Sequence, residues 1–163
     1  MVQPGKYRRA VLDALIPYFE QDERYFLLVG DMGFGAIDKL KKRFPDRLVN
    51  CGIMEQGMVG IAAGMSMGGL IPIVYSIVNF LVFRSLEQIR NDIVLQNLTV
   101  KLIGTGANDY FHMLGPSHTC GDLDIKILDL IGLPVYDPYS AKEPFERVLD
   151  QWLRREGPAY LRV

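Results

Sequence analysis

The sequence predicts an α/β fold, a three-layer sandwich with a mostly parallel central sheet. Three observations predict it. Short apolar runs alternate with segments of helical spacing along the whole chain. The strand-like runs are apolar almost throughout, so they are written for burial on both faces, as parallel sheets require. Glycine closes two of them, Gly30 after 25–29 and Gly104 after 100–103, at the carboxyl edge where open α/β sheets bind ligands.

The elements follow in order. Residues 7–20 place Val11, Leu12, Leu15, Ile16 and Phe19 on one helical face, and 25–29 is a buried strand. Residues 36–43 make a short helix whose Lys39, Lys41, Lys42 and Arg43 suit the negative end of its dipole. A second strand covers 47–49. Residues 54–67 form an almost wholly apolar helix closed by Gly68 and Gly69, with Glu55 in its first turn. The strand 70–75 carries Pro72 near its start, where a missing donor is tolerable. A helix over 80–96, a strand over 100–103, a helix over 122–131, a strand over 134–136, a helix over 141–155 and a strand over 159–163 complete the chain. The loop 105–121 is the long exception; it is rich in glycine and holds both histidines, and loops of that length are commonly functional.

Composition excludes several classes. The chain has 163 residues, enough for one domain spanning 1–163, with 49% hydrophobic and 23% charged residues. A formal net charge of -1 gives no electrostatic case for nucleic acid or an anionic membrane. The apolar stretch from Leu70 to Phe83 is interrupted by Pro72, Ser76 and Asn79, so it is too short and mixed to span a bilayer. The polar start carries no signal peptide, and two cysteines make no disulfide framework. A cytoplasmic location is the expectation.

Glu55 is the first candidate functional group. An acidic residue in a first turn is favoured by the helix dipole alone. Its setting says more: Gly57, Gly60 and Gly64 recur through that helix, and each interior glycine costs roughly 1 kcal/mol relative to alanine. That cost points to close approach of another backbone or subunit. Phe80 and Phe83 read either as core or as a flat wall for a heterocycle. His118 and His112 lie in the long loop, and His118 is the better catalytic candidate because it sits beside Gly115 and Pro116. Asp31, in Gly30-Asp31-Met32-Gly33-Phe34-Gly35, stands at a strand end; this run lacks the Lys-Ser/Thr of a phosphate loop and the spacing of a dinucleotide fingerprint. Cys51 or Cys120 with His118 as base is the weaker, thiol-enzyme reading, and the two histidines lack metal-ligand spacing.

The run from Val49 to Gly64, with Gly52-Ile53-Met54-Glu55-Gln56-Gly57 at its heart, resembles the pyrimidine-binding domain of transketolase-like thiamine diphosphate enzymes. The segments 71–80, 87–92, Gly115-Pro116-Ser117-His118 and 158–162 resemble that family in the same order, so the likeness covers nearly the whole chain. It implies that Glu55 hydrogen-bonds the pyrimidine ring nitrogen remote from the reacting centre, favouring the imino tautomer. It implies that Phe80 stacks on the pyrimidine, that Phe83 supports it, and that Ile77 is an aliphatic wall where an aromatic is expected. Asp31 would lie near the thiazolium or the facing domain. His118 and His112 would face the substrate with Asn108, and Arg162 would bind an acidic group of the substrate.

The resemblance also implies what lies elsewhere. The diphosphate and Mg2+ belong to a separate diphosphate-binding domain, expected on a partner chain, a transketolase-like N-terminal subunit; that domain and the family's C-terminal third domain have no counterpart in these 163 residues. A heterotetramer follows, with the Glu55 helix as its central contact. The expected reaction is transfer of a two-carbon ketol unit between sugars. The alternatives are a subunit of a 2-oxo acid decarboxylase or dehydrogenase using the same cofactor, and a non-catalytic scaffold or regulatory subunit. Transketolases tend to carry His at the place of Gly106 and Glu-Asp at the place of Met113-Leu114, which leaves the sugar donor open.

Overall fold

The computed structural model describes residues 5–163. Six strands form one sheet in the order β2-β1-β3-β4-β6-β5, with every neighbouring pair parallel. They are β1 (Tyr25–Val29), β2 (Leu48–Asn50), β3 (Ile71–Ile77), β4 (Lys101–Thr105), β5 (Val135–Tyr136) and β6 (Ala159–Arg162). The helices are α1 (Arg8–Ala14), α2 (Ile16–Gln21), α3 (Asp38–Arg43), α4 (Glu55–Met67), α5 (Val78–Arg84), α6 (Leu86–Gln88), α7 (Leu123–Leu130) and α8 (Phe145–Arg154). The α/β sandwich expected from the alternation of elements is therefore present.

The two-residue period of a strand sends neighbouring side chains to opposite faces, and the core divides accordingly. Leu27, Val29, Ile73, Tyr75, Ile103 and Leu161 pack with Val11, Leu12, Phe19, Leu40 and Trp152. Leu28, Val74, Leu102 and Tyr160 pack on the other face with Met58, Val59, Ala62, Leu81, Ile93 and Leu128. Helices α1, α2, α3 and α8 thus cover one face, and α4, α5 and α7 the other. Gly104 is forced by this packing, because a Cβ there would collide with the Tyr160 ring and hydroxyl.

Several boundaries differ from the expectation, and three of the differences have a clear local reason. The first helix divides at Leu15, just before Pro17, which enters at the start of α2. Strand β3 runs on to Ile77, because Ser76 and Ile77 pair with Gly104 and Thr105. The helix expected over 80–96 starts at Val78, breaks at Ser85, and continues from α6 into a π-helical segment, Ile89–Val94. The Ser85 hydroxyl donates to the Leu81 carbonyl at that break, competing with the helix ladder.

The strand order reverses direction between β1 and β3. From β1 the chain passes outward to β2, then returns to lay β3 on the other side of β1. Such a switch point opens a crevice at the carboxyl ends of the two strands, because their following segments diverge to opposite sides. Gly30 follows β1 there, and Ser76 and Ile77 end β3.

Candidate functional site

Glu55 sits over that switch point. It is the first residue of α4 and only 1% exposed. Its carboxylate accepts a hydrogen bond from Ser76 Oγ at 2.8 Å on Oε1, and Oε2 accepts from the Arg84 guanidinium. Both donors satisfy the requirement that a buried charge be paired. Gly30 makes the approach possible, since a Cβ there would stand 3.3 Å from both Glu55 Oε1 and Ser76 Oγ.

The entry into α4 is pinned by a side chain that no sequence motif singles out. Asn50 Oδ1 accepts from the backbone amides of Asp31 at 3.1 Å and Gly52 at 3.0 Å, while its Nδ2 donates to Asp31 Oδ1 at 3.0 Å. The end of β1 and the turn before Glu55 are stitched together in this way. Asp31 itself is exposed and takes a left-handed backbone, φ 48°, a conformation that Asn and Asp tolerate better than most residues.

From Glu55 the site extends along α5 to the histidine loop. The Arg84 guanidinium carbon lies 4.6 Å from the centre of the Phe80 ring, one helical turn earlier on α5. Phe80 meets the His118 ring edge-to-face, 5.0 Å between centroids and 78° between planes. Ser117 Oγ lies 3.0 Å from His118 Nδ1, and Phe111 flanks the same imidazole at 6.5 Å. Asn79 donates to the Thr119 carbonyl at 2.8 Å, which fastens α5 to the loop. Glu55, Phe80 and His118, far apart in sequence, therefore form one contiguous strip through Arg84.

The other expected site residues are placed as follows. Ile77 ends β3, half-buried, immediately before α5. Phe83 is 39% exposed and lines a shallow groove with Gln56, Arg84 and Ile131. His112 is exposed in the first of two 3-10 turns of the loop, its Nδ1 3.1 Å from the Asp109 carbonyl. Asn108 has a left-handed backbone, φ 55°.

Arg162, expected to meet an acidic group of the substrate, has a side chain that is 3% exposed and engaged within the chain. Nε donates to Asp124 Oδ2 at 2.9 Å, Nη1 to Asn108 Oδ1 at 2.8 Å, and Nη2 to the Gly121 carbonyl. Tyr160 adds a hydrogen bond to Asp124 Oδ2 at 2.9 Å, and burial with this anion nearby holds its phenol well above the usual range. Asp109 closes the loop by accepting from the amides of Cys120 and Gly121, both at 2.9 Å. Arg162 and Asp124 thus clamp the two ends of the histidine loop onto β6 and α7.

Neither cysteine is an activated thiol. Burial raises Cys51, and burial together with the Asp124 anion pushes Cys120 up to about 11. A thiol nucleophile needs the opposite shift. Among the described residues no cluster of His, Cys, Asp and Glu could hold a metal ion, and no helix is long and apolar enough to cross a membrane.

Comparison with known proteins settles the kinship. The family model for the transketolase pyrimidine-binding domain matches residues 3–163. The chain belongs to that family. It is 36% identical over 123 residues to a subunit of the apulose-4-phosphate transketolase of Actinobacillus succinogenes, a match that takes in 75% of this chain and 39% of that protein. It is 27% identical over 158 residues to the 6-deoxy-6-sulfo-D-fructose transketolase subunit SqwH of a Clostridium species, covering 96% of this chain and 48% of that one. Among solved structures, a split-gene transketolase described as an inactive beta4 tetramer superposes with a TM-score of 0.82 at 29% identity, over 98% of this chain and 51% of that one. The transketolase of Campylobacter jejuni superposes with a TM-score of 0.81 at 17% identity, over 98% of this chain and 26% of that one, a likeness of fold. The chain spans about half or less of the length of these relatives.

Proposed function

We propose that this chain is the pyrimidine-binding subunit of a heteromeric, thiamine diphosphate-dependent transketolase-like enzyme that moves a two-carbon ketol unit between sugars. The observation that carries the reading is Glu55, a buried carboxylate at the switch point joined through Arg84 to the Phe80 ring, in a chain of the transketolase pyrimidine-domain family.

The residues present fit one half of the cofactor. A buried carboxylate is an acceptor for a ring nitrogen carrying hydrogen, and Phe80 offers a flat face for a heterocycle. Nothing comparable serves a diphosphate with Mg2+, since the described residues contain no metal-holding cluster and 30–35 lacks a phosphate-binding spacing. In this reading a partner chain supplies the diphosphate-binding domain, a division that the split and subunit-bearing transketolases similar to this chain support, and these residues act as a single pyrimidine-binding domain.

The thiazolium ring supplies the carbanion chemistry when bound. The chain's own residues prepare it. Glu55 holds a proton at the pyrimidine nitrogen and sets the tautomer. Phe80 orients the ring by stacking, with Ile77 and Phe83 walling it. Asp31, exposed at the crevice mouth, stands toward the thiazolium or the facing domain. His118, held against Phe80, faces the sugar and handles a proton at a substrate hydroxyl, with His112 and Asn108 farther along the loop. The donor sugar is set by this loop.

Assembly is the second half of the proposal. Ile53, Met54, Ile61 and Met67 of α4 and its entry are exposed apolar groups. A Cβ added at Gly60 or Gly64 would meet nothing within 4 Å, so the chain itself does not require those glycines. A second subunit approaching α4 closely accounts for them, in a heterotetramer with two chains of each kind.

Co-expression with a diphosphate-binding transketolase subunit tests the reading. The two chains should co-purify and together bind thiamine diphosphate with Mg2+, while calorimetry of this chain alone detects little or no binding. Tight binding by the lone polypeptide contradicts the division of the cofactor.

A further inference from the structure

Glu55 is nearly sealed from solvent, yet the pyrimidine must reach it. Its two side-chain partners differ in mobility. Ser76 lies within a central strand and is 1% exposed. Arg84 ends α5, and its side chain is 36% exposed. The guanidinium donates to Glu55 Oε2 and lies 4.6 Å above the Phe80 ring. It therefore occupies the two surfaces that the reading above, on which this inference rests, gives to the aminopyrimidine. A guanidinium and an aminopyrimidine are alike in the features that matter here. Both are flat, both donate N–H groups in their plane, and both stack on aromatic faces.

We propose that Arg84 is a positioning residue that holds the place of the cofactor's pyrimidine on Glu55 and Phe80, and that the pyrimidine displaces it on binding. Before the cofactor arrives, Arg84 neutralises a carboxylate that would otherwise be buried without a counter-charge. When the pyrimidine enters, the guanidinium swings outward along the groove that Arg84 already lines with Gln56, Phe83, Glu87 and Arg90. Glu55 then exchanges one N–H donor for another. Displacement is a tax on affinity, because the apparent dissociation constant is the intrinsic one divided by the fraction of molecules whose site is open.

The test uses the complex of this chain with its diphosphate-binding partner, titrated with thiamine diphosphate in the presence of Mg2+ by calorimetry. Arg84→Met keeps the apolar stem and removes the donors. The variant complex should melt lower without cofactor and bind the cofactor about threefold more tightly or better, as removal of the tax requires. Equal or weaker binding by Arg84→Met means that Arg84 stays beside the cofactor, and the proposal is overturned. Arg84→Lys, which keeps the charge without the flat stacking group, should bind at least as tightly as the wild type; weaker binding counts against displacement. Should Arg84→Met fail to assemble, a crystal structure of the loaded wild-type complex decides. A guanidinium beyond hydrogen-bond distance of Glu55 supports displacement, and one still bonded to it refutes displacement. Failure of the wild-type complex to bind cofactor at all would strike the functional reading itself, a result distinct from a binding complex in which Arg84 does not move.

Discussion

Gly60 and Gly64 of α4 should be stabilising positions in the free chain and forbidden ones in the assembly. Neither has a positive φ, and a Cβ at either would meet nothing within 4 Å. Alanine there costs no strain and removes the entropic penalty of a helical glycine, about 1 kcal/mol at an interior position. Gly60→Ala should raise stability by that amount, and Gly64→Ala by less, because Gly64 lies in the last turn of a helix ending at Met67. Together they should raise the melting temperature by about 3–7 °C for a domain of this size. Calorimetry of the purified chain, at a concentration where light scattering finds monomer, reads that shift. In the complex the sign reverses: Gly64→Leu should leave the free chain folded and abolish the heterotetramer in native mass spectrometry. A lower melting temperature for the double alanine variant would show that α4 is not open at these positions. A heterotetramer that survives Gly64→Leu would remove α4 from the central contact.

The Arg162–Asp124 clamp gives a second prediction. Asp124→Asn leaves a guanidinium that is 3% exposed with Asp137, at 3.9 Å, as its remaining counter-charge, and urea denaturation should register a loss of about 3 kcal/mol, whereas a change under about 1 kcal/mol would mean the pair is not buried in solution. Gly30→Ala places a Cβ 3.3 Å from Glu55 Oε1; the reconstituted complex should lose at least tenfold in turnover, about 1.4 kcal/mol of barrier, while the melting temperature of the chain changes little. Cys120, held near 11 against an ordinary value of 9.0, loses its proton late as pH rises. Its alkylation by iodoacetamide at pH 8 should run about 100-fold slower than that of an unshifted thiol and climb until pH passes about 11; a plateau near pH 9 would show that burial and Asp124 do not raise it.

Much of the fold was legible because strand burial is written in local composition. The run 25–29 is apolar throughout and 100–103 is apolar but for Lys101, and both are interior strands of the sheet. Where expectation slipped, the cause was a competing local interaction. Helical spacing continues smoothly past Ser85, so periodicity had no means of showing that its hydroxyl turns back on Leu81. A π-helical segment at Ile89–Val94 likewise keeps its apolar residues inward, with Ile89 and Ile93 buried.

The site was legible in part. Glu55 stood out as an acid at the mouth of an apolar helix, and the structure buries its side chain. Its partners were hidden for different reasons. Ser76 reads as an interruption in a strand, and Arg84 as an ordinary solvated helix cation, although its spacing of four from Phe80 was a usable signal for stacking. The Arg162–Asp124 pair was hidden because its members lie 38 residues apart in sequence, and no local pattern marks a buried long-range pair. Only the strand order, with its reversal between β1 and β3, brings Gly30, Glu55 and Ser76 to one point.

Turnover of the reconstituted two-chain complex carrying Glu55→Gln tests most directly whether this carboxylate runs the chemistry. The amide keeps the shape and the Ser76 contact but holds a proton at the pyrimidine nitrogen poorly. With cofactor occupancy confirmed, kcat should fall about 10²–10⁴-fold. Unchanged turnover in a fully loaded complex would contradict the assignment of Glu55.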